Sequence, residues 1–227
     1  MKKLNVKVVF VTGLLGTKPN NQEIFSEFIA SNAPDAKTRQ QEIEDSSVSE
    51  VVDKSTTVFA RTKDGRPVFM DYHWKGYFKE KCSFLKKNDT VDDGSKPKSA
   101  SIKAFKKEID GNIFVYPRKI VIHTDDDLTI NQRPLRTQTM QGERVALNSS
   151  EEIHARSWCE FTVECEIEKH IDSVREWLNY GVKHGTGQWR NSGAGRFLWM
   201  ELDDEGNQIG GNYTEEKLEQ LIAEDEL

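Results

Sequence analysis

The ten residues from Trp158 to Ile167 constrain the fold more than any other stretch. Cys159, Phe161, Val163, Cys165 and Ile167 alternate with Trp158, Glu160, Thr162, Glu164 and Glu166. Successive side chains of a strand point to opposite faces, so this order demands a half-buried strand with one wet side. Cys159 and Cys165 share a parity and are expected on the same face.

Other elements fall into place around that strand. Val6, Val8 and Phe10 read as a first strand, ended by Gly13, Gly16 and Pro19. Ile24, Phe25, Phe28 and Ile29 have helical spacing within Gln22 to Ser31. Two apolar runs, 58–60 and 68–70, flank Asp64-Gly65, a strong hairpin signal. Trp74, Phe78, Cys82 and Leu85 form one face of a helix over Trp74 to Lys87. Residues 88–101 are polar and rich in turn formers, and read as a mobile linker. A short helix over Ile102 to Ile109 leads to strands at 113–116 and 119–122. A helix over Asp172 to Gly181, a strand over Phe197 to Leu202 and an acidic amphipathic helix over Thr214 to Leu227 complete the order. Strands and helices interleaved in this way predict an α+β protein with a ferredoxin-like (RRM-like) core and an antiparallel sheet. We expect a single domain over residues 1–227, with insertions around 35–56 and 88–101 and the acidic helix at 214–227.

The formal net charge is −6, so a uniform surface would repel phosphate and any polyanion needs a local basic patch. Cys82, Cys159 and Cys165 are odd in number and lack metal-ligand spacing, which suits a reducing, cytoplasmic setting without disulfide or zinc. The apolar run after the two N-terminal lysines is short and lacks a cleavage site, and no stretch approaches the ~18 apolar residues of a membrane span.

The segment His184 to Phe197 is the most distinctive. Gly185, Gly187, Gly193 and Gly195 surround Trp189, Arg190 and Asn191, with Arg196 at the end. Glycines let backbone N–H groups approach an anion, guanidinium groups give charge-assisted bonds to phosphate, and an indole face offers a base-stacking platform. No Gly-Lys-Ser/Thr closes the loop, and a helix precedes it rather than a strand. It is therefore neither a Walker loop nor a dinucleotide fingerprint, and no cofactor is implied.

The loop resembles the C-terminal glycine-rich loop of the RAMP superfamily. Those ferredoxin-like proteins form the backbone and guide-processing subunits of CRISPR effector complexes. Val9-Phe10-Val11-Thr12-Gly13-Leu14-Leu15-Gly16 is similar to the superfamily's first strand and turn, and Trp74-Lys75-Gly76-Tyr77-Phe78-Lys79-Glu80 to the entry of its first main helix. The resemblance implies that the four glycines shape the loop and that Arg190 and Arg196 meet a nucleic-acid backbone. It also places Lys75 at an anion-favouring helix N-terminus, and it raises the prospect of self-association along a strand. The chain as a whole is also similar to small proteins encoded in bacteriophage genomes, which would put it in the host cytoplasm.

A second basic cluster holds Arg133, Arg136 and Arg144, a candidate backbone-tracking hairpin or loop. The five histidines lack metal-binding spacing, and Asp125-Asp126-Asp127 reads as a solvated turn rather than a metal site. His73 and His184 are the candidates for a general acid/base role. Three functions follow. The first is non-catalytic binding of single-stranded RNA or DNA through Lys75, Arg133, Arg136, Arg144 and the loop. The second is a metal-independent endoribonuclease using His73 or His184. The third is a phage protein-interaction module that engages a host complex through the acidic helix.

Overall fold

The computed structural model describes residues 2–20, 56–91, 94–139 and 142–225, with the side chains of 135–147 outside the description. The strands are β1 (Lys2–Phe10), β2 (Leu14–Leu15), β3 (Lys18–Pro19), β4 (Thr57–Val58), β5 (Ala60–Arg61), β6 (Pro67–Met70), β7 (Ile113–Tyr116), β8 (Lys119–His123), β9 (Thr129–Thr139), β10 (Gly142–Ile153), β11 (Trp158–Cys165), β12 (Phe197–Leu202) and β13 (Gln208–Gly211). The helices are α1 (Asp71–Leu85), α2 (Phe105–Asn112), α3 (His170–Asn179) and α4 (Glu215–Asp225). The chain divides into two compact units: Met1–Leu14, Arg61–Asp127 and Ile153–Leu227 form the first, and Leu15–Ala60 with Leu128–Glu152 form the second. The expected helix over Gln22 to Ser31 and nearly all of the expected 35–56 insertion lie outside the described residues.

In the first unit, β1 pairs antiparallel with β11 on one side and β12 on the other. β11 in turn pairs antiparallel with β7 and β8, two pieces of one course on either side of Pro117. The spatial order is thus β12, β1, β11, β7/β8. Along the chain, α1 follows β1, and α3 connects β11 to β12. This is the split βαβ arrangement of ferredoxin-like proteins, and the antiparallel α+β class read from the sequence is what the chain forms. β13 extends the sheet beside β12, and β6 extends it beside β8.

The alternation in β11 has its expected result: Cys159, Phe161, Val163 and Cys165 are buried, as are Leu4, Val6, Val8 and Phe10 of β1. α1 and α3 lie on that apolar side. Trp74 of α1 sits 4.5 Å from Phe161 and 5.4 Å from Phe197, ring to ring, and Phe78 sits 5.6 Å from Trp177 of α3. Trp74 is fully buried, so replacing it with alanine would cost about 3–5 kcal/mol. All three thiols are free and buried, and burial pushes Cys82 up to about 11 and Cys165 up to about 12.

One reading changes. The end of the stretch expected to be a mobile linker is docked. Ser99 is buried, its hydroxyl accepts the Trp177 indole N–H at 2.7 Å, and it donates to Glu176 at 2.8 Å. The acidic helix α4 buries one apolar face, as its amphipathic pattern predicts. Its Leu218 packs with Val9, Val11 and Leu198, with Leu221 and Ile222 beside them. Arg156 clamps it through both oxygens of Glu219.

In the second unit, β9 and β10 form a long antiparallel hairpin running from Thr139↔Gly142 to Thr129↔Glu152. β4 joins β10 in parallel, and β3 joins β4 antiparallel.

Candidate nucleic-acid interface

The three segments that carry the family resemblance meet in space. The loop between α3 and β12 is pinned to the turn after β1: the Gly195 N–H donates to the Gly13 carbonyl at 2.8 Å, and the Thr12 hydroxyl donates to the Gly193 carbonyl at 2.7 Å. The Arg196 N–H donates back to the same hydroxyl at 2.9 Å. From α1, Glu80 takes the Arg190 Nε–H on both carboxylate oxygens, at 2.9 and 3.0 Å. The Arg190 Nη1 also donates to the Gly187 carbonyl.

The four glycines do different jobs. Gly185 and Gly195 are buried in the stem, where the Thr186 N–H donates to the Gly195 carbonyl. A Cβ on Gly185 would lie 2.2 Å from the Ala194 oxygen, and one on Gly195 would lie 2.1 Å from the Thr186 oxygen. These two allow backbone to approach backbone, not an anion. Gly187 and Gly193 have φ of 81° and 90°, and space lies open around the missing Cβ of Gly193. Between them Trp189 takes a left-handed φ of 57° and remains 41% exposed. Its carbonyl accepts the Ser192 N–H at 2.9 Å. A bulky residue costs about 1–3 kcal/mol in that region, and such strain collects where function needs a side chain presented.

Beneath the tip lies a polar cluster that sequence reasoning missed. Lys81 is fully buried, its ammonium touching His184 Nδ1 and lying 3.1 Å from Glu80. Burial pushes Lys81 down to about 8, against the pull of Glu80. Burial alone would raise the Glu80 carboxyl, but hydrogen bonds from Arg190 and the charge of Lys81 outweigh it and hold the group below its ordinary value. His184 Nε2 bonds Asn191 Oδ1 at 3.0 Å. Both ring nitrogens are therefore engaged by protein. The Glu80–Arg190 pair joins residues 110 apart, and no local pattern announces it.

The remaining expected residues are dispersed. Lys75 lies in the second turn of α1, not at its N-terminus, with its ammonium 4.9 Å over the Phe114 ring and bonded to the Asp110 carbonyl. Arg196 is held by Asp225, and its Nε is buried without an acceptor among the described residues. It does not reach outward as expected. Arg133, in the second unit, is 3% exposed and held by Asn131 and Ser150, so it is a structural residue of the hairpin. The ladder pairs Arg136 with Val145 and Arg144 with Thr137, and both side chains lie outside the described residues. His73 accepts the Met70 N–H, caps α1 and stacks on Phe69, and burial lowers it to about 4. Among the described residues, no group of three His, Cys, Asp or Glu is placed to hold a metal, and no helix is long and apolar enough to cross a membrane.

No family model and no curated protein matches the sequence. Among solved structures, the chain is similar to one chain of a structure described as type III-B Cmr-beta bound to cognate target RNA, with 12% identity and a TM-score of 0.47. The match covers 86% of this chain, which spans 58% of that one. A likeness at that level carries no ligand or activity across.

Proposed function

We propose that this protein is a RAMP-like module that binds single-stranded nucleic acid, RNA or DNA, at the tip of the glycine-rich loop and does not cleave it. The observation that supports this most is Trp189, exposed on a left-handed backbone between two positive-φ glycines. An indole so presented can stack a base for about 1–3 kcal/mol. Arg190 beside it is 40% exposed, and exposed Asn191 and Ser192 add polar groups at the same edge. Because Glu80 offsets Arg190, stacking would dominate and few counterions would be released. A salt slope near −1 in log K against log salt is expected, from one or two phosphates at about −0.7 each.

The reading without catalysis rests on His184 and His73, whose rings are tied into the protein by Lys81, Asn191 and the Met70 N–H. The test is fluorescence polarisation with labelled mixed-sequence RNA and DNA at low salt, with recovered strands run on a gel in EDTA. Saturable binding with intact strands is expected. Failure to bind either strand at low salt would sink the proposal, and cleavage lost in His184→Ala would replace it with the ribonuclease reading.

A further inference from the structure

The stripe of α1 that meets the loop tip ends on an aromatic ring in solvent. Phe84 is 42% exposed, whereas Trp74, Tyr77, Phe78, Cys82 and Leu85 of the same helix are buried. Glu80 and Phe84 are four residues apart, so they share a face of α1 and lie about 6 Å apart along its axis. Glu80 carries the Arg190 guanidinium at 2.9 Å.

A second link runs through His184. The Phe84 ring meets the His184 ring edge to face, 5.6 Å between centres at an angle of 76°, and His184 Nε2 bonds Asn191 Oδ1 at 3.0 Å. Phe84 is thus tied to both residues that follow Trp189: to Arg190 through Glu80, and to Asn191 through His184. The ammonium of the buried Lys81 lies 5.5 Å from the centre of the Phe84 ring. One side of the ring is therefore turned to the protein, and solvent reaches the other.

Charge limits what such a ring can take. Phe84 lies in the last turn of α1, where the helix carbonyls carry partial negative charge. A phosphate is disfavoured there, with Lys81 shut inside. A base presents a π face, which stacks on an aromatic ring whatever its identity.

We infer, on the reading of the loop tip as a strand-binding site, that Phe84 is a second stacking platform. A neighbouring base of the strand held at Trp189 packs on its outer face, and the backbone between the two bases passes Arg190. The strand then runs across α1 rather than away from it.

Fluorescence polarisation of the full chain at low salt, with a labelled mixed-sequence single strand, tests this on Phe84→Ala, Phe84→Leu and Phe84→Trp. Alanine should weaken binding about fivefold or more. Leucine keeps an apolar contact with His184 but removes the ring, and should lose as much. Tryptophan should bind at least as tightly as the native chain. The leucine and tryptophan variants should melt at the native temperature, because the ring is exposed, so the loss is read on a folded chain. Native affinity in both Phe84→Ala and Phe84→Leu, with Trp189→Ala still impaired, would overturn the second platform, leave the loop reading standing and assign the ring to a protein partner. Affinity kept by leucine and lost by alanine would reduce Phe84 to packing and overturn it as well. A native chain that binds no strand would remove the loop reading and the platform together.

Discussion

Gly185 and Gly195, at the stem of the loop, are buried with carbonyl oxygens in the places their Cβ atoms would occupy, whereas Gly193 at the tip faces open space. The stem needs glycine because two backbones touch. The tip needs it because φ is positive, and there a side chain would strain the chain but displace nothing. A run of glycines between a helix and a strand therefore combines two physical demands, and only the tip can serve a ligand. The arginines differ in the same way. Arg196, at the stem, is tied to Asp225 with its Nε buried, while Arg190, nearer the tip, is paired but part exposed.

The largest expected effect breaks the stem. Gly195→Ala places a Cβ against a carbonyl at a φ of 67° and should cost about 3 kcal/mol or more, summing overpacking and left-handed strain. Gly193→Ala meets only the strain and should cost about 1 kcal/mol. Denaturant midpoints of the two variants measure the difference, and equal losses would erase the distinction between stem and tip.

Next in size is the tip itself. Trp189→Ala should lose about 1–3 kcal/mol of strand binding, roughly 10- to 100-fold, with no loss of stability. Polarisation at fixed salt reads the first and thermal melting the second. A smaller effect sharpens the role of Glu80. Glu80→Gln frees the Arg190 charge, so strand affinity should rise a few-fold and the salt slope should steepen by about 0.7. Stability should fall at the same time, because the variant also takes the carboxylate away from the fully buried Lys81 ammonium.

A further effect concerns the buried lysine under the tip. The folded Lys81 is held near 8 and the unfolded lysine near 10.5, so between these values the unfolded chain carries more protons. The burden of charging a buried lysine is complete below about pH 8 and is relieved as pH rises toward 10.5. Native stability at pH 9.5 relative to 7.5 should therefore exceed that of Lys81→Met over the same interval, compared by urea midpoints.

Much of the frame was legible. Period-two alternation in β11 and a spacing of three and four along Trp74, Phe78, Cys82 and Leu85 each report a single buried face, and burial is what those patterns encode. The site was legible only in part. Glycine spacing located the loop and Trp189, but not which glycines were packed. Arg133 looked like surface charge because nothing in its neighbourhood shows that Ser150 and Asn131 close over it. Residues 97–101 dock through the Ser99 hydroxyl between Trp177 and Glu176 and through the Lys98 and Ser99 N–H groups on Glu176, in a stretch whose composition reads as a linker. Glu80 and Lys81 acquire meaning only from His184 and Arg190, over a hundred residues away. Pairings made by the fold leave no trace in a local window.

Ultraviolet crosslinking of the native chain to a labelled single strand, with the attached peptide read by mass spectrometry, tests most directly where the strand lies. A crosslink on the peptide containing Trp189, absent in Trp189→Ala, is the predicted result. Crosslinks confined to the β9–β10 hairpin, with the loop peptide unmodified, would contradict it.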